Sequence, residues 1–150
     1  MVRIEVQPPT QVQRGTALWP PLVVSCQSSE YTFYQIMLID VGGNIANQSL
    51  RGTLSANPQP LHSSQAGSSS PAMEYAVFPD LSITKSGTYT LCVNAYRMDY
   101  DTIPPAWIHA ATATSRMIRV RSSSVAAEPP SNSEATLLGM LRRGGFPIPY

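Results

Sequence analysis

Alternation of apolar and polar residues organises most of this chain. Val2, Ile4 and Val6 alternate with Arg3 and Glu5, the period-2 pattern of a half-buried strand, and Pro8-Pro9 ends it. A loop containing Arg14-Gly15 follows. Pro20-Pro21 then leads into a second run, Leu22-Val23-Val24-Ser25-Cys26, and a third runs from Phe33 to Ile39. The Asp40-Val41-Gly42-Gly43-Asn44 segment supplies the glycines of a tight turn, with a short strand expected around Leu50 to Leu54 beyond it. A further strand is expected over Glu74 to Phe78. The strongest strand signal spans Thr88 to Met98: Tyr89, Leu91, Val93 and Ala95 share one face, and Thr90, Cys92, Asn94 and Tyr96 the other. Residues 116–121 form a last strand, with Ile118 and Val120 inward and Arg119 and Arg121 outward. Burial is expected for Leu22, Val24, Ile36, Leu38, Tyr89, Leu91, Val93, Ile118 and Val120.

Period 3.6 appears once. Ser131 and Glu134 form a capping box, and Leu137, Leu138 and Leu141 make an apolar stripe. Arg142 and Arg143 suit the negative end of the macrodipole, and Gly144-Gly145 with Pro147 ends the element. The expected helix covers 131–143. Between Ser55 and Ala72 the chain is rich in Ser, Pro, Asn and Gln, which predicts a flexible loop over 55–72 inside one domain of 150 residues. Many short strands and one late helix predict an all-β sandwich with a C-terminal helix.

Composition narrows the function classes. Charged residues make up 13% of the chain, about half the usual share, and the formal net charge is +1. The charge is uneven, however: residues 1–101 carry five basic and seven acidic side chains, whereas residues 102–150 carry five arginines and two glutamates. If the helix packs near the last strand, Arg116, Arg119, Arg121, Arg142 and Arg143 converge on one face. The structural alternative is a solvated strand edge, where charge deters edge pairing. The N-terminus lacks an apolar secretory segment, and the longest apolar run, Ile36 to Ile39, cannot span a bilayer. No membrane role is expected.

Catalytic motifs are missing. His62 and His109 have no neighbouring nucleophile and orienting carboxylate, and Gly42-Gly43 lacks the Lys-Ser/Thr of a phosphate loop. Neither an enzyme nor a small-molecule substrate is expected. Asn47-Gln48-Ser49 has the form of a glycosylation acceptor and is expected to be a chance match, since no secretory route is expected. Cys26 and Cys92 lack metal-ligand spacing and are expected to be two reduced core thiols. An extracellular immunoglobulin disulfide is disfavoured because Cys92 follows Tyr89 by three, so it faces away from the tyrosine of the Ser86-Gly87-Thr88-Tyr89 approach.

Val77-Phe78-Pro79-Asp80-Leu81-Ser82-Ile83, followed by Gly87-Thr88-Tyr89-Thr90-Leu91, resembles the signature segment of the fungal velvet domain. Gln7-Pro8 with Gly15, Pro20-Pro21-Leu22-Val23-Val24, Leu50-Arg51-Gly52-Thr53-Leu54, and the Pro129-to-Pro149 helix and tail resemble further family blocks in order. The resemblance implies an immunoglobulin-like sandwich similar to the Rel-homology fold. It also implies a nuclear regulator of sporulation, development and secondary metabolism, acting as a homo- or heterodimer with other velvet proteins. Several members bind promoter DNA, and no cofactor or metal is implied. The chain departs from the family in its N-terminal block, where positions that are often arginine are Thr10 and Val12, and Ala17-Leu18-Trp19 replaces a basic pair. Loss of phosphate contacts lowers affinity and flattens its salt dependence. The candidate DNA contacts are Arg14, Arg51, Arg119 and Arg121. The candidate interface anchors are Trp19 and Tyr100, aromatics in loops rather than strands.

Overall fold

The computed structural model describes residues 1–61 and 73–149. Among the described residues, twelve strands precede one α-helix: β1 (Arg3–Val6), β2 (Gln11–Gln13), β3 (Leu22–Gln27), β4 (Phe33–Asp40), β5 (Leu50–Arg51), β6 (Ser55–Ala56), β7 (Gln59–Pro60), β8 (Met73–Phe78), β9 (Ser82–Ile83), β10 (Gly87–Asp99), β11 (Ala106–Thr114), β12 (Ile118–Arg121) and α1 (Asn132–Arg143). One sheet has the order β1-β3-β8-β7, and the other has the order β2-β12-β10-β4-β6 with β11 also paired to β10; β5 and β9 form a separate pair.

Alternation sets the layers. Val24, Cys26, Ala76 and Phe78 of the first sheet meet Tyr34, Ile36, Leu38, Leu91, Val93, Ile118 and Val120 of the second in one buried core. All nine core positions expected from the alternation are buried there. The opposite face of the first sheet presents Val23 and Val77, on which Leu138 and Leu141 of α1 pack. Burying each leucine contributes roughly 1.5–3 kcal/mol. The molecule is therefore an all-β sandwich whose first sheet is capped on its outer side by the C-terminal helix. Ser131 Oγ accepts from Glu134 N, and Glu134 Oε1 accepts from Ser131 N, so the capping box is formed. No described helix is long and apolar enough to cross a membrane.

Several expectations change. A bulge between Ile4 and Val6 sends Val6 to the helix side, while Val2 and Ile4 face the sandwich core. The 55–72 segment is not uniformly a loop: Ser55–Ala56 pairs with β4 and Gln59–Pro60 with β8. Residues 62–72, including His62, lie outside the described residues. Cys26 is in the core, but Cys92 lies on the outer face of the second sheet, and both thiols are free. Asn47 Oδ1 accepts from Leu38 N at 2.8 Å, a bond that fixes the Asn47 side chain against β4.

Candidate nucleic-acid interface

The parallel pairing of β2 with β12 creates the most basic edge of the sandwich. Arg119 lies beside Gln11, Val120 beside Val12 and Arg121 beside Gln13. Because Val12 and Val120 face the core, Arg119 and Arg121 project outward, as their alternation predicts. The chain leaves β2 at Arg14, whose N–H donates to Arg121 O at 2.8 Å. Gly15, in the left-handed region at φ 79°, then donates to Ile83 O at 2.8 Å. β9 in turn pairs with β5, placing Ser82 opposite Arg51. A run of backbone hydrogen bonds thus connects the strands and turns that carry all four candidate arginines.

Their side chains differ in freedom. Among the described residues, Arg14, Arg119 and Arg121 are exposed and form no side-chain hydrogen bond or ion pair. Arg51 is folded back, with Nη1 donating to Gln48 O at 2.8 Å and Leu50 O at 3.1 Å. Its remaining N–H groups are the part left for a phosphate. Arg51 is also braced from below, because Gly52 approaches the Asp80 backbone and Thr53 is held by the Asp80 carboxylate.

The five basic residues expected on one face do not converge. α1 covers the outer side of the first sheet, whereas Arg119 and Arg121 project from the outer side of the second. Arg142 and Arg143 are thereby placed across the sandwich. Arg116 is a structural clamp: its Nε donates to Pro8 O at 2.9 Å, and its N–H donates to Gln7 Oε1 at 3.0 Å.

Gln11, Gln13 and Lys85 were not among the sequence candidates. The two glutamines flank the arginines as neutral hydrogen-bonding groups. Lys85 is exposed just before Gly87, which pairs with Val120. The Gln11-Val12-Gln13 alternation was the available signal for the glutamines, but their register against β12 joins residues more than one hundred positions apart.

Val12 and Leu18 are core residues, and Leu18 N donates to Leu81 O at 2.8 Å. Trp19 does not stand free as an anchor: it is half-buried and packs on the cluster beneath α1. Tyr100 is 78% exposed, at the tip between β10 and β11.

Two acidic groups temper the field. Burial pushes the Glu128 carboxyl upward, but hydrogen bonds from Thr10 Oγ1 and Gln11 N outweigh it, and Arg116 adds to the lowering. The net result is a carboxyl held below its ordinary range beside Gln11. Glu134 behaves alike: burial raises it, and bonds from Ser131 and Gln7 bring it below the ordinary range. Elsewhere, burial pushes the Cys26 thiol and the Tyr34 phenol upward, so both remain protonated at neutral pH.

The fold and this edge together define a β-sandwich protein with a basic strand edge. The chain matches no known family model and no curated protein.

Proposed function

We propose that this chain is a velvet-type nuclear regulator of fungal development, sporulation and secondary metabolism that binds promoter DNA as a homo- or heterodimer. In this reading the sandwich is of the immunoglobulin-like, Rel-homology type. The resemblance over residues 77–91 supports the family. Its residues have clear structural work: Phe78 and Leu81 fill the core, and Asp80 fastens the β5 turn.

One observation carries the DNA reading. Arg119 and Arg121 project from β12, and Arg14 stands at the end of the adjacent strand, with no carboxylate partner among the described residues. Unpaired guanidinium groups are suited to phosphate oxygens, which position a protein on the duplex without reading its sequence. Three or four such contacts give a slope of log K against log salt of about −3 to −4. Anisotropy of a labelled duplex titrated across salt tests this, with Arg119→Glu plus Arg121→Glu as the matched variant. Unchanged binding by that variant removes both residues from the site.

A second reading is a velvet-fold dimerisation adaptor with little DNA affinity of its own. The Glu128 carboxylate, hydrogen-bonded to Gln11 beside Arg119, favours it by offsetting part of the positive field. In this reading a partner supplies the remaining cations.

A further inference from the structure

The two outward arginines of β12 lead directly into three serines, Arg119-Val120-Arg121-Ser122-Ser123-Ser124. Ser124 is the one hydroxyl residue of the sequence with an arginine both three and five positions before it. The strand stops at Arg121, and residues 122–128 form neither helix nor strand, so the serines lie on a connection beyond the ladder. All three are exposed. Within β12, the alternation that buries Ile118 and Val120 turns both arginine side chains to solvent.

Ser124 shares a cleft with one of these cations. Arg121, Ser124 and Glu128 line an open concavity of about 400 Å³ together with Thr10 and Gln11, where β2 meets the chain that follows β12. The Glu128 carboxylate is already engaged, with Oε1 accepting from Thr10 Oγ1 at 2.6 Å and Oε2 from Gln11 N at 2.9 Å. Among the described residues, Arg121 has no ion pair and the Ser124 hydroxyl no hydrogen bond. The cleft therefore holds a free, exposed hydroxyl, an unpaired guanidinium and a carboxylate held on the β2 side.

From these observations we propose that Ser124 is a phosphorylation site for an arginine-directed serine kinase, and that its phosphate closes the basic edge to DNA. The closure rests on the DNA reading of the proposed function, whereas the site does not. Kinases of this class carry carboxylates that take guanidinium groups at fixed distances before the accepting hydroxyl. Ser124 Oγ attacks the γ-phosphorus of ATP; the Oγ–P bond forms as the bond from that phosphorus to the bridging oxygen breaks. ADP leaves, and the hydroxyl proton passes to the catalytic aspartate of the kinase. The product carries about −1.5 to −2 charges. Glu128 repels it from one wall of the cleft, and Arg121 draws it to the other as a charge-assisted partner. Arg119 stands on the same face two residues away, about 7 Å along the strand and inside the Debye length at physiological salt. Guanidinium groups neutralised in this way release fewer counterions on meeting a duplex.

Incubation of the full folded chain with ATP, Mg²⁺ and a purified arginine-directed serine kinase, read by intact mass and peptide mapping, tests the site. One phosphoryl group on Ser124 is expected. Ser124→Ala is expected to abolish it, and Ser122→Ala plus Ser123→Ala to leave it. Arg119→Lys plus Arg121→Lys keeps the charge but removes the guanidinium forks, and is expected to slow incorporation at least about tenfold. No incorporation, or incorporation at Ser122 or Ser123 instead, overturns the site. A rate indifferent to the two lysines overturns its recognition through the arginines. The closure is read separately, by anisotropy of a labelled duplex with the phosphorylated and the unmodified chain. Phosphorylation is expected to lower the magnitude of the salt slope by about 1–2. A phosphorylated chain with an unchanged slope overturns the closure alone. An unmodified chain that binds no duplex overturns the DNA reading and the closure with it, while a mapped phosphate on Ser124 upholds the site.

Discussion

The Asp80 carboxylate grips Thr53 at two points, with Oδ1 accepting from the Thr53 N–H at 3.0 Å and Oδ2 from Thr53 Oγ1 at 2.9 Å. Thr53 directly follows Gly52, whose φ is 120°. A Cβ on Gly52 would lie 2.5 Å from Asp80 O, so the close approach and the left-handed backbone both demand glycine. Arg51 precedes this fastener, and its position depends on it.

Gly52→Ala is therefore expected to cost about 1–3 kcal/mol through backbone strain and the forced retreat of Asp80. Asp80→Ala frees the Thr53 N–H and hydroxyl and is expected to cost about 1–3 kcal/mol. Urea melts of both variants check this. Wild-type midpoints for both would remove the fastener from the account.

Leu91→Ala is expected to cost roughly 2–5 kcal/mol, because Leu91 is fully buried between the sheets. The exposed Thr114→Ala, on the other face of the same sheet, is expected to change stability by less than about 0.5 kcal/mol. Thermal denaturation of the pair measures the face assignment of β10 and β11.

Acid stability follows from Glu134 and Glu128. Both have folded-state pKa values below their unfolded ones. Their contribution is thus fully present above the unfolded value of about 4.3, and it is lost as pH falls through the folded value. Glu134→Ala removes the bonds to Ser131 N and Gln7 N and is expected to cost about 1 kcal/mol at pH 7. The difference from wild type is expected to shrink below pH 4. A constant difference from pH 7 to pH 3 would exclude the carboxylate as its source.

The sequence was most readable where alternation or a cap acts locally. The Tyr89-to-Ala95 face, the outward Arg119 and Arg121 and the Ser131–Glu134 box all lie within single elements, and the structure has each as expected. β11 was not legible. A bulge opposite Ala95/Tyr96 shifts its register, and its small residues lie on an open edge, so its burial does not alternate over nine residues. β6 and β7 are two-residue pairings defined by their neighbours rather than by their own composition. Trp19 was misplaced for a long-range reason: nothing near it in sequence shows that α1, over one hundred residues later, closes the cluster on which it packs. The same distance hid Gln11 and Gln13 from the basic edge, because only the parallel β2–β12 pairing brings them beside the arginines.

The most direct test of the central claim is the anisotropy of a labelled promoter duplex, titrated with the wild-type chain and the Arg119→Glu, Arg121→Glu variant from about 50 to about 200 mM salt. The account predicts a wild-type slope of log K against log salt of about −3 to −4, lowered in magnitude by about 2 in the variant. A wild-type slope near zero, or one that the double charge reversal leaves unchanged, would contradict it.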